Sequence, residues 1–225
     1  MKKLIRFLLI IILILSLLII YARYGGTRGL ITKEYQIETT IDDSFDGLKI
    51  VHFSDLHYLR IINKETTQSI IEEINLLNPD IVVFTGDLID KDYKPNDKDI
   101  SNLKELLTSI KSKYGKYSVL GEHDIKVEDT IKDIYISSNF TLLDNSYDVI
   151  YGNNNNKLFI GGLSNNPDID KVMNYFTENE DINYKIILVH EPDYVDTITS
   201  KYNNTNLVLA GHSHNGQINI PYIKK

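Results

Sequence analysis

The sequence predicts an α/β fold behind a single N-terminal transmembrane helix. Three observations predict it. The first 24 residues hold an apolar run with no polar face, the remainder alternates buried-strand patterns with amphipathic-helix patterns, and histidines and carboxylates recur where those strands end. The carboxyl ends of strands are where open α/β sheets place their sites.

The N-terminal element comes first. Lys2, Lys3 and Arg6 precede an apolar run from Phe7 to Tyr21, broken only by Ser16. Counted from Leu4 the run is 18 residues, roughly 27 Å as a helix. A bilayer core of about 30 Å is then spanned with Arg6 snorkelling and the flanks helping. Tyr21 and Tyr24 stand where interfacial aromatics are expected. No small-x-small cleavage site follows Ile20, so residues 1–24 read as an uncleaved signal anchor and not as a cleaved signal. Weighing Lys2, Lys3 and Arg6 against Arg23, Arg28 and Lys33 puts the N-terminus in the cytoplasm. The expected location is therefore the cell membrane, single-pass, with the large domain extracytoplasmic.

Residues 25–46 read as a linker with a first strand over Glu34–Ile41, and residues 47–225 as one α/β domain. Leu48–Ser54 is the first buried strand pattern. A helix over Lys64–Leu77 shows Ile70, Ile71, Ile74 and Leu77 on one side and closes at Asn78-Pro79. Ile81–Phe84 is a second strand, Ile100–Ser112 a helix, and Tyr117–Leu120 a third strand. This alternation implies right-handed crossovers and a largely parallel sheet. A weaker helix runs to Ser137. Strands follow near Thr141–Leu143, Asp148–Tyr151, Leu158–Ile160, Ile186–Val189 and Leu207–Leu209, with helices around Asp170–Phe176 and Asp193–Lys201.

Composition narrows the chemistry. Asp plus Glu exceed Lys plus Arg, for a net charge of −7, so the chain has no electrostatic reason to track a nucleic-acid backbone. There is no cysteine. Any metal must be held by nitrogen and oxygen.

The strand ends read Asp55-Leu-His57, Gly86-Asp87, Gly121-Glu-His-Asp124, His190-Glu191 and Gly211-His-Ser-His214. Five of the six histidines lie there. In extended backbone residues i and i+2 project to one side, so Asp55 with His57, and His212 with His214, are expected to reach a common ion. The set is imidazole plus carboxylate, which suits two divalent transition-metal ions, Mn, Fe or Zn, and not calcium. His52 lies three residues before Asp55, on the opposite face by alternation, and reads as structural.

This series resembles the calcineurin-like metallophosphoesterase superfamily. Phe53-Ser-Asp-Leu-His57 and Ala210-Gly-His-Ser-His-Asn-Gly-Gln-Ile218 are similar to its small membrane-associated bacterial branch. The resemblance implies a four-layer α/β/β/α sandwich and hydrolysis of phosphate esters by a metal-bridging hydroxide. It implies that Asp55, His57 and His214 hold one ion, that Asp87 bridges, and that His190, His212 and Glu122 hold the second. It makes His123, supported by Asp124, the group that contacts phosphate and protonates the leaving oxygen. The implied partner is a phosphodiester, phosphomonoester or pyrophosphate, lipid-linked if membrane location guides substrate.

Two departures stand out. Glu122 occupies a family asparagine position, and the chain stops 11 residues after His214 where the family continues through further strands. The second sheet is accordingly expected to lack C-terminal strands. A non-catalytic metal-binding membrane protein of the same descent is the competing expectation.

Overall fold

The computed structural model describes residues 2–24, 29–153, 156–177 and 182–214. The chain divides into two compact units, 1–38 and 39–225.

The first unit contains α1 (Lys2–Tyr24). Within it, Lys2–Tyr21 is long and apolar enough to cross a membrane, and none of it is buried by protein. Its 23 residues extend roughly 35 Å, enough for a bilayer core. The strand expected over Glu34–Ile41 is not formed: the segment carries no strand pairing and Glu34–Thr40 are exposed. Alternation defines a strand face only where a neighbour supplies hydrogen bonds and a cover; among the described residues no strand pairs with this segment, and of it only Ile41 packs on the core.

The second unit begins before the first true strand. Asp42 caps a short 3₁₀ turn over Asp43–Phe45 by accepting the Ser44 N–H, and this seats Phe45 in the core against Tyr114. The chain then builds β1 (Ile50–Phe53), α2 (Lys64–Leu76), β2 (Ile81–Phe84), α3 (Asp97–Thr108), β3 (Gly115–Ser118), α4 (Glu128–Ser137) and β4 (Phe140–Leu142). The four strands form one parallel sheet in the order β1-β2-β3-β4. β2 is Ile-Val-Val-Phe, apolar and buried at every position, as a strand covered on both faces must be. Asn63 caps α2. Asn96 and Asp99 form a capping box that starts α3 three residues before Ile100, where periodicity alone placed it.

A second four-stranded sheet contains β5 (Ser146–Tyr151), β6 (Lys157–Gly162), β7 (Ile182–Val189) and β8 (Leu207–Ala210). β5 pairs antiparallel with β6, and the other pairings are parallel. Helices α5 (Ile169–Thr177) and α6 (Tyr194–Lys201) make the crossovers.

Alternate residues of the buried strands assign the layers. Val82 and Phe84 pack with Ile71, Ile74, Leu103, Leu107 and Ile134 under α2, α3 and α4. Ile81 and Val83 face the other way, onto Leu158, Ile160, Ile186 and Leu188 of the second sheet. Phe159, Ile187 and Val189 turn outward to Val172 and Met173 of α5 and Ile198 of α6. The result is helix, sheet, sheet, helix, as the resemblance implied. Each such fully buried aliphatic contributes about 1.5–3 kcal/mol of transfer free energy. Among the described residues β8 is the last strand, and the residues after His214 lie outside them.

Candidate metal centre

The ladder between β1 and β2 continues past the ends of both strands. Asp55 N–H donates to the Gly86 carbonyl (3.0 Å), His57 N–H to the Asp87 carbonyl (3.1 Å), and Tyr58 N–H to the Leu88 carbonyl (2.9 Å). The second sheet is tied to the same edge: His190 Nδ1 lies 2.7 Å from the Thr85 carbonyl, and His212 N–H donates to the Asp55 carboxylate at 3.1 Å. The carboxyl ends of β1, β2, β3, β7 and β8 thereby converge.

The side chains do not converge by strand alternation. Asp55 (φ 54°), His57 (41°), Asp87 (58°), His212 (63°) and His214 (45°) all occupy left-handed backbone. The expectation that Asp55 with His57, and His212 with His214, align as i and i+2 of an extended strand is corrected on this point. Left-handed backbone costs a non-glycine residue roughly 1–2 kcal/mol, and such strain gathers where a site over-determines the conformation. Five strained residues on one edge therefore mark it.

Three groups of side chains present nitrogen or oxygen atoms within 4.8 Å of one another: Asp55, His57 and His214; His57, Asp87 and His123; and Asp87, His190 and His212. Asp87 belongs to two of them. Its Oδ2 lies 3.3 Å from His190 Nε2 and 3.7 Å from His57 Nε2, and its Oδ1 accepts the His123 N–H at 2.8 Å. Asp55 Oδ1 lies 3.6 Å from His214 Nε2. The His57 ring stacks on His214 at 5.3 Å and meets His123 edge-on at 4.8 Å. His52 joins no group; its Nε2 lies 2.8 Å from Thr85 Oγ1.

Buried nitrogens give the fit test for metal. Both ring nitrogens of His57, and Nε2 of His190, are buried without a hydrogen-bond partner among the described residues. An unpaired buried polar atom is costly, and a metal ion removes that cost by taking the lone pair. With His190 Nδ1 donating to the Thr85 carbonyl, the neutral ring leaves Nε2 bare, the tautomer a metal ligand needs. These residues fit transition-metal ions.

The charges of the site act strongly on one another. Burial pulls His190 down, but the Asp87 carboxylate outweighs it and lifts the ring to about 9. Burial pushes Asp87 up, but the His190 ring beside it, Nε2 at 3.3 Å, and the His123 N–H bring it below the usual carboxylate range. His57 is lowered, by burial first, with the His123 and His214 rings adding to it against Asp87 and Asp55.

Two expected residues stand elsewhere. The Glu122 carboxylate enters none of the three groups and instead lies 3.3 Å from His123 Nε2. Asp124 does not meet the His123 ring. It is fully buried, accepting N–H groups from Asp87 and Gly121 on Oδ2 and from Leu88 and Ile89 on Oδ1, at 2.9–3.4 Å. Burial pushes its carboxyl up to about 7, while these backbone donors pull the other way. Its place is to hold the loop that carries Asp87. Asp87 and Gly121 approach so closely that a Cβ on Gly121 would collide with the Asp87 carboxylate and backbone.

Asp90 was not singled out from sequence. Its Oδ2 lies 3.7 Å from His123 Nδ1 and 3.6 Å from His57 Nδ1. A second carboxylate within one strand-end loop, Gly86-Asp-Leu-Ile-Asp90, was the available signal.

The family model for calcineurin-like phosphoesterases matches residues 48–216. A Bacillus subtilis (strain 168) protein described as uncharacterized metallophosphoesterase YkuE is 34% identical over 211 residues, 90% of this chain and 71% of that one. A Danio rerio transmembrane protein with metallophosphoesterase domain is 26% identical over 193 residues, 79% of this chain and 43% of its own length. The crystal structure of calcineurin-like phosphoesterase YfkN from Bacillus subtilis aligns with a TM-score of 0.44 at 15% identity, over 74% of this chain and 72% of that one.

Proposed function

The chain belongs to the calcineurin-like phosphoesterase family, and from that premise we propose that it hydrolyses phosphate esters at a two-metal centre beside a membrane. The observation that carries the reading is a chain of shared residues: Asp87 joins the His190–His212 group to His57, and His57 joins it to Asp55 and His214. In this assignment Asp55, His57 and His214 hold one ion, His190 and His212 the other, and Asp87 both. When bound, such ions supply a water ionised at neutral pH and positive charge against the phosphoryl oxygens.

The protein's own groups do the rest. Thr85 fixes the His190 ring through its carbonyl. Asp124 holds the Asp87 loop by its backbone, and Asp55 ties the β8 end to the β1 end through the His212 N–H. His123 reaches the His57–Asp87 group yet keeps part of its ring exposed, so it is placed to bind a phosphoryl oxygen and to protonate the departing one. A general acid of this kind contributes typically 10²–10⁴-fold.

Membrane association is supported by α1 and by the name of the Danio rerio relative. The extracytoplasmic orientation is part of the proposal, and the lipid-linked head group rests on membrane location alone. The test is hydrolysis of bis(4-nitrophenyl) phosphate by the full chain in detergent, after metal stripping and after return of Mn²⁺, Fe²⁺ or Zn²⁺. Activity that is lost on stripping and restored by a transition metal supports the reading; hydrolysis indifferent to metal overturns it.

A further inference from the structure

His123 stands between a backbone donor and a carboxylate. The Lys91 N–H donates to its Nδ1 at 3.2 Å, which leaves the proton of the neutral ring on Nε2. That nitrogen lies 3.3 Å from Glu122 Oε1. The Glu122 side chain is 43% exposed against 16% for His123, so the carboxylate is the more solvent-exposed member of the pair. Among the described residues its ion pair is with His123, and no lysine or arginine neutralises it. Asp55, Asp87 and Asp90 already crowd the same edge with negative charge.

Resting on the phosphoesterase reading, we propose that Glu122 determines specificity: its carboxylate stands 3.3 Å from the His123 Nε2 that a substrate oxygen must approach, and so selects singly charged phosphodiesters over doubly charged phosphomonoesters. A phosphate monoester carries about −1.5 to −2 charge near neutrality because its second pKa is about 6. A diester carries one charge. Repulsion by a fixed carboxylate scales with that charge, so the monoester bears up to twice the penalty. Both must displace the carboxylate from the ring, which a half-exposed glutamate allows by rotating outward. A neutral amide at the position would remove the fixed charge beside His123 and with it the discrimination.

The experiment compares the full chain with Glu122→Gln, which removes the charge at nearly constant size, and Glu122→Asp, which keeps it. Hydrolysis of 4-nitrophenyl phosphate and bis(4-nitrophenyl) phosphate is measured alongside calorimetric binding of orthophosphate and dimethyl phosphate to the Mn²⁺-loaded proteins. Metal content is measured in each. In Glu122→Gln the monoester-to-diester ratio of kcat/KM should rise roughly tenfold. Orthophosphate should tighten more than dimethyl phosphate, metal content should not change, and Glu122→Asp should stay near the parent. An unchanged ratio with metals retained overturns the proposal, and loss of a metal from Glu122→Gln overturns it by making Glu122 a ligand. If the parent hydrolyses neither ester, the phosphoesterase reading fails, and the two binding constants alone decide whether Glu122 discriminates by charge.

Discussion

His123 and Asp90 separate two roles that one site must combine. His123 is placed to give a proton to a leaving oxygen, while Asp90 sits 3.7 Å from its other nitrogen, too far for a strong hydrogen bond. His123→Asn should therefore lower turnover strongly on an alkyl phosphate diester and less on a nitrophenyl diester, whose leaving group needs little protonation. Asp90→Asn should lower both modestly and equally. Steady-state turnover on the two substrates, with metals retained, checks this; equal losses in His123→Asn would reduce that residue to phosphate positioning. His190 makes a pH prediction for the metal-free protein. Its folded value of about 9 lies above the ordinary 6.5, so its pairing with Asp87 stabilises fully below about pH 6.5 and fades as pH rises through 9. Asp87, held below 3.8, loses its share only in acid. Thermal denaturation of chelator-treated protein should show this decline between pH 6.5 and 9, and His190→Asn should remove it.

Strand ends and caps carry different burdens, and single substitutions distinguish them. Asn96→Ala removes one half of the α3 capping box, and Asn96 belongs to none of the metal groups; it should cost about 1 kcal/mol of stability and leave metal affinity unchanged. Gly121→Ala forces a methyl group against Asp87, so it should weaken metal binding well before it unfolds the domain. Denaturant titration and metal titration of the two variants give opposite patterns if this is right. The same contrast explains what was legible beforehand. Ile81–Phe84 was read to the residue because an unbroken apolar run bounded by Asn-Pro and Thr-Gly has few alternatives. The convergent histidines were legible as residue types at strand ends. The left-handed backbone of Asp55, His57 and Asp87 was not, because it goes with pairing between the loops after β1 and β2, at long sequence separation. Asp124 and Glu122 were misplaced for one reason. Adjacency to His123 says nothing about which way a side chain leaves a turn, and here one goes inward to backbone N–H groups and the other outward to the ring.

At the scale of the whole chain, α1 belongs to a unit separate from the one that holds every proposed ligand. Removing residues 1–29 should move the protein from the membrane fraction to the soluble one while leaving turnover per bound metal within about twofold, since every proposed ligand belongs to the second unit. Fractionation and activity on the two forms check this. The central claim, that one edge of two packed sheets holds two ions through a shared Asp87, is tested most directly by elemental analysis of the purified full chain after reconstitution and desalting. The account predicts close to two Mn, Fe or Zn ions per chain, and one or fewer in Asp87→Ala. Retention of no transition metal by the parent protein, or two ions in the Asp87→Ala variant, would contradict it.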